Sequence, residues 1–343
     1  MTLLLAGDIG GTKTLLSLWR SSSAGLERLL EERFVSAAWD DLAPMVRHFL
    51  ATAGVAGGTP PAAACFAVAG PVEGGRAQLT NLPWRLDTDG LARSCGLSNL
   101  ELVNDFAVLI YGLPHLEAAQ VAPVREGRRD PQAPLLVLGA GTGLGVAMGL
   151  PTGAGLRAIP SEAAHGEFAP RCQQEWDLKQ WLKDDLGLER VSIERVVSGT
   201  GLGHVARWLL SCRHPDGAHP LSPSARLWSE AGDGPARADL PAEVAMAAAA
   251  GERLAADALD LWLGAYGSVC GDLALASLSR GGLWLAGGTA AKLLDSLRTR
   301  SFLEPFLNKG RLRSTLEPMP ITAVMDPGVG SFSAACRARM LLG

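Results

Sequence analysis

The sequence predicts an α/β protein of two domains, and three observations carry that prediction. A short apolar strand breaks at a glycine turn near the N-terminus and resumes as strand; the same design recurs at 135–150; and around both units short apolar runs alternate with helix-patterned segments. Two like units in one chain of 343 residues suggest a duplicated domain, and the length accommodates two domains readily.

The elements follow in order. Residues 3–5 are an apolar run that stops at Gly7-Asp8-Ile9-Gly10-Gly11-Thr12-Lys13, and 14–19 read as strand again. A dinucleotide-binding turn opens a helix, and a GxxxxGK[ST] phosphate loop needs a glycine where Thr12 stands and a helix after it, so neither fits. Residues 62–69 form a strand closed by Gly70-Pro71, 87–95 a helix begun near Thr88, and 100–103 a strand that delivers Asn104 and Asp105 at its carboxyl end, followed by a helix at 106–113. Functional residues gather at such strand ends in open α/β sheets. The polar, proline-bounded stretch 123–134 reads as an exposed loop, with Arg125, Arg128 and Arg129 a solvated face.

In the second unit an apolar run leads into Gly139, Gly141, Gly143 and Gly145. Each such hairpin offers backbone N–H groups to a phosphate. The proline-rich section 213–241 is a connection or cover with a short helical piece at 224–228. Residues 243–266 read as the clearest helix, with Leu254, Ala258, Leu261 and Ala265 as its apolar stripe. A strand at 283–286 ends at Gly287-Gly288-Thr289, and a strand at 321–324 precedes a closing helix at 328–342.

Composition excludes several classes. With 48% hydrophobic residues the chain can build a large core. A formal charge of −4 supplies no basic stripe for nucleic acid. The uncharged stretch 131–156 is too rich in glycine and proline for a membrane helix, and the apolar N-terminus lacks a basic leader, so a cytoplasmic protein is expected. Six scattered cysteines without a CxxC pair read as free core thiols. Glu162, His165 and Glu167 stand close in sequence but lack the spacing of a protein-held zinc site.

With these residues on the page, the chain resembles the bacterial glucokinase family of the hexokinase and actin-like superfamily. The likeness is carried by GDIGGTK at 7–13, AGPVEGG at 69–75, TNLPW at 80–84, VNDF at 103–106, GAGTGLG at 139–145, PSEAAHGEFAP at 160–170, ERVVSGTGL at 194–202, LAGG at 285–288 and DPGVGSF at 326–332. It implies an actin-like ATPase (ribonuclease H-like) fold, with two α/β domains flanking an active-site cleft: a small one of 1–114 plus 326–343 and a large one of 115–325. It also implies a homodimer that binds glucose and ATP, with no nucleic-acid or membrane partner. Related kinases of the ROK branch carry a cysteine-rich zinc motif after the corresponding histidine; here Cys172 stands alone, which places the chain on the other branch.

The resemblance also assigns roles. Asp105 becomes the catalytic base; Thr80, Asn81, Asn104, Glu162, His165 and Glu194 become sugar ligands. Gly7, Asp8, Ile9, Gly10, Gly11, Thr12 and Lys13 on one side, with Gly141, Thr142, Gly143, Gly287 and Gly288 on the other, become the ATP site, and Asp8 faces Mg²⁺ through water. The chemistry agrees: a sugar hydroxyl is a poor nucleophile and needs a carboxylate for its proton, while phosphoryl transfer asks otherwise for positioning and charge neutralisation. A competing use of Asp105 is as the N-cap of the next helix. In the PSEAAH loop, Ser161, Ala163 and Ala164 replace the family's glycines, and the alanines are expected to stiffen and narrow the sugar side, which makes a kinase for another hexose the nearest alternative. A sugar-sensing regulator on the same fold is disfavoured because no basic helix-turn-helix extension is appended and Asp105 is present.

Overall fold

The computed structural model describes residues 2–55, 59–79, 82–153, 155–231 and 239–343. Its strands are β1 (Thr2–Ile9), β2 (Lys13–Ser22), β3 (Gly25–Val35), β4 (Ala63–Val68), β5 (Val72–Glu73), β6 (Arg76–Gln78), β7 (Arg85–Asp87), β8 (Leu100–Asn104), β9 (Val121–Arg125), β10 (Leu135–Ala140), β11 (Leu144–Thr152), β12 (Gly155–Ser161), β13 (Leu283–Ala286) and β14 (Ile321–Val324). Packing divides the chain into two units: Met1–Glu117 with Ala147–Pro160 and Asp326–Gly343, and Ala118–Val146 with Ser161–Met325. The sequence reading leaves all of 115–325 in one domain, whereas 147–160 groups with the first unit.

The first unit is built on a sheet of order β3-β2-β1-β4-β8, with β1, β4 and β8 parallel and β2 and β3 antiparallel to their neighbours. All of β4 is buried, as a strand covered on both faces should be. On one face the helix Leu42–Thr52 packs Met45, Val46 and Phe49 into a core with Leu5, Ile9 and Phe66. Gly7 belongs to this packing, since a methyl group there would meet the Phe66 ring at 2.7 Å. The other face is covered by the helix Val329–Met340, whose small residues Ser331, Ala334, Ala335 and Ala338 are buried. Ser17 on β2 shares a 2.7 Å hydrogen bond with Ser331 and accepts another of 2.7 Å from the Trp19 indole. Arg337 pairs with Glu101 on β8 at 2.5 Å and lies over the Tyr111 ring, so the last helix is tied to β8.

In the second unit β10, β13, β14 and β9 lie side by side in that order. β10 and β13 run parallel, with Gly139 opposite Ala286. The glycine turns after these two strands therefore leave the sheet at the same edge. Behind them runs a 25-residue helix, Arg253–Ser277, that buries Leu254, Ala258, Leu261, Trp262, Ala265 and Tyr266.

Two expectations are corrected here. The helix expected at 243–266 is two helices, Leu240–Ala249 and Arg253–Ser277. Gly251 at φ 85° ends the first, and the Glu252 carboxylate starts the second by accepting from the Leu254 and Ala255 amides at 3.0 and 2.7 Å. The alanine run masked that stop. The loop expected at 123–134 begins as β9, antiparallel to β14. Arg125 donates to the Met319 and Glu317 carbonyls at 2.8 and 2.5 Å, and Arg129 stacks 4.2 Å over the Trp284 ring. Of the three arginines, Arg128 and Arg129 are exposed and Arg125 is half-buried.

The thiols also divide. Cys65, Cys270 and Cys336 are buried and Cys95 is half-buried, whereas Cys172 and Cys212 are exposed. Burial pushes the Cys95 thiol up to about 11 and the Cys336 thiol up to about 12, and raises Cys65 and Cys270 further. Since the thiolate is the reactive form, iodoacetamide at pH 8 is expected to modify two cysteines of the native protein and six after unfolding. Rapid native labelling of Cys336, read by peptide mass, would contradict this packing.

Candidate active site

The parallel register places two carboxylates at one end of the first sheet. Ile9 lies opposite Val68 and Val68 opposite Asn104, so the turn after β1 and the residue after β8 emerge at the same level. Two strand spacings separate them, about 10 Å. Asp105 is exposed there, its N–H donating to the Val68 carbonyl at 2.9 Å. The cap of the following turn is Asn104 rather than Asp105: its Oδ1 accepts from the Phe106 and Ala107 amides at 3.1 and 2.9 Å. Its amide nitrogen donates to the Gly70 carbonyl and to Asp105 Oδ1, both at 3.1 Å. Both donors and both lone pairs of Asn104 are thus engaged, which orients the neighbouring carboxylate and leaves no spare donor for a sugar in this arrangement.

In the turn after β1, the Gly10 amide donates to the Lys13 carbonyl at 3.0 Å, and Ser36 donates its hydroxyl to the Gly10 carbonyl at 2.7 Å. Ile9 is wholly buried beneath the turn, Gly11 is half-buried, and Thr12 and Lys13 are exposed. Burial pushes the Asp8 carboxyl above its ordinary range, and the Lys13 ammonium pulls it partly back. A half-buried carboxylate near a glycine turn suits a hard cation held mostly by phosphates and water. No cluster of three or more His, Cys, Asp or Glu side chains exists among the described residues to hold a metal by protein ligands alone.

The second unit carries the other expected ligands. Glu162 and His165 flank a short turn, both exposed, with Nε2 and Oε2 3.6 Å apart. A backbone ladder fastens this turn to the segment holding Glu194: Phe168 donates to Val191 and Ile193 to Gly166, each at 2.9 Å. Ala164 is buried and so anchors the turn instead of narrowing its outer face. Thr80 and Asn81 lie outside the described residues.

The two glycine turns of this unit meet a cavity of about 570 Å³. Gly141, Thr142 and Gly288 line it, with Gly199 and Thr200 beside them, and Thr289 Oγ1 donates to the Ala140 carbonyl between the two turns. Gly287 sits against the same carbonyl, where an added methyl group would lie 3.2 Å from the oxygen. Away from the turns the wall is apolar, with Leu202, Trp228, Trp262 and Ala245, and two charged residues among those described, Asp239 and Lys292, also line it. Backbone donors at one end and an aromatic wall at the other fit a nucleotide: phosphates at the turns, base against the wall. Gly199 and Thr200 were legible in SGTGL but were not assigned. Trp228, Asp239 and Lys292 had no local signal, because only the fold brings them to the cavity.

A family model described as Glucokinase matches residues 5–341. Among curated relatives, a glucokinase of Nostoc punctiforme is 41% identical over 345 residues, covering 99% of this chain and 100% of that protein. A glucokinase of Synechocystis sp. is 42% identical over 346 residues, covering 98% of each. Of solved structures, glucokinase from an Antarctic psychrotroph matches at TM-score 0.81 and 28% identity over 99% of both chains. The glucokinase of Balamuthia mandrillaris, solved with glucose, shares the fold at TM-score 0.74 and 21% identity, over 98% of this chain and 94% of that one.

Proposed function

Because the chain belongs to the glucokinase family, with its two-domain actin-like fold, and phosphorylates glucose with ATP to give glucose 6-phosphate, we propose that Asp105 accepts the proton of the sugar 6-hydroxyl. The observation that carries this role is the division of labour at the end of β8: Asn104 caps the turn, and its amide orients Asp105. A base so held needs no rearrangement of its own as the hydroxyl attacks.

The remaining roles follow from chemistry. Glu162 and Glu194 accept hydrogen bonds from sugar hydroxyls, and His165 donates or accepts one. Backbone amides at 11–12, 142–143 and 287–288 hold the phosphates, with Lys13 and Lys292 as point charges. Mg²⁺, when bound, neutralises charge on the phosphates. Asp8 meets its hydration shell, and the cation's charge favours the ionised carboxylate that burial alone opposes. Asn104 acts through Asp105 rather than on the sugar.

Coupled ADP release with Mg-ATP and a panel of glucose, mannose, fructose, N-acetylglucosamine and 2-deoxyglucose tests the substrate assignment. Glucose is expected to lead in kcat/KM, with the fall for analogues that leave a carboxylate unpaired reaching about 10²-fold or more. A different hexose leading by that margin would overturn glucose as the substrate while leaving the reaction type intact.

A further inference from the structure

Glu194 sits on the short helix Ile193–Val196, half-buried, and its carboxylate has an occupation besides the sugar. Leu144 donates its backbone N–H to Glu194 Oε2 at 2.9 Å. A methyl group on Gly143 would meet that same oxygen at 2.5 Å, so the carboxylate fills the space a side chain there would need. Gly143 closes the turn by accepting from the Gly141 amide at 2.8 Å. Two further bonds stitch the turn to the same segment: Gly199 donates to the Gly141 carbonyl at 2.7 Å, and the Thr200 hydroxyl to the Thr142 carbonyl at 2.8 Å. With the carbonyls so occupied, the shape that the turn presents to a phosphate is set from residues 194–200.

We propose that Glu194 is a positioning residue for the 141–143 phosphate turn as well as a sugar ligand, so that nucleotide affinity depends on its side-chain oxygen even with no sugar present. The inference rests on reading that turn as a phosphate site. Accepting one amide N–H needs only an oxygen, which glutamine would supply without placing a negative charge near phosphates. Glutamate is explained by the second task, since a carboxylate can accept from sugar hydroxyls and from Leu144 together.

Calorimetric binding of MgADP and of adenosine, both without glucose, separates the possibilities in wild type, Glu194→Ala and Glu194→Gln. MgADP affinity is expected to fall about tenfold in Glu194→Ala, the scale of one lost hydrogen bond, and to stay within about twofold of wild type in Glu194→Gln. Gly143→Ala, which displaces the carboxylate, is expected to weaken glucose binding measured without nucleotide. Unchanged MgADP affinity in a folded Glu194→Ala would overturn the proposal, as would an equal loss in the glutamine variant. Wild type binding adenosine as tightly as MgADP would instead remove the phosphate reading on which it stands.

Discussion

Replacing Asp105 with asparagine is expected to lower kcat for glucose phosphorylation by about 10³-fold, with KM for glucose and ATP moving far less, because general-base catalysis contributes on that scale and asparagine keeps an oxygen to accept from the Asn104 amide. Stability supplies the contrast. Had Asp105 been the helix cap, Asp105→Ala would cost about 1 kcal/mol of folding free energy and little turnover. The cap is Asn104, whose side chain takes the Phe106 and Ala107 amides, so the unfolding midpoint of the Asp105 variants is expected to stay near wild type. Steady-state kinetics and denaturant unfolding on the same samples decide it. A variant that retains a tenth or more of wild-type kcat would remove the proton-acceptor role.

Gly267→Ala is expected to be among the most damaging single methyl groups in the second unit. Gly267 lies on the buried side of the helix Arg253–Ser277 where the helix Arg300–Leu307 crosses, and its absent Cβ would collide with the Phe302 carbonyl oxygen. The next contact along, Gly271, faces the Phe306 carbonyl in the same way. Backbone cannot move aside as a flexible side chain can, so overpacking here costs about 3 kcal/mol, at the upper end of such insertions. At roughly 2–4 °C for each kcal/mol in a domain of this size, the thermal midpoint should drop by about 6–12 °C. An unchanged midpoint would mean that the two helices are not packed backbone to backbone.

Much of this was legible in the linear text, and the exceptions share a cause. Turn chemistry is local, so GDIGG, GAGTG and LAGG announced three strand-to-turn junctions before any coordinates, and VND announced the carboxylate at the end of β8. The division of labour between Asn104 and Asp105 was not legible, because asparagine and aspartate are both good caps and only the hydrogen bonds distinguish them. The break at Gly251-Glu252 was written in the sequence but overridden by the alanines before it, whose helix propensity carries past a stop signal. Arg125 looked solvated because a polar run predicts exposure, while the 316–319 carbonyls that it meets lie far along the chain; Arg129 is exposed as expected, and only its stacking on Trp284 was not legible. The cavity lining failed for the same reason: Trp228 and Lys292 join Gly141 only through the fold.

The covering of β1, β2 and β4 by the helix Val329–Met340 sets an order of events during synthesis. Translation delivers the strand bearing Asn104 and Asp105 early, yet the helix that buries one face of that sheet and pairs Arg337 with Glu101 is made last. Until then Leu4, Cys65 and Ala67, buried in the finished protein, lack that helix over their face of the sheet. The second unit, Ser161–Met325 with its leading strands, is contiguous enough to fold on the ribosome. The unit that carries the base is completed only when residues 326–343 have emerged, so a chain cut short before 326 has the described lining of its nucleotide cavity encoded and its base on an unfinished sheet.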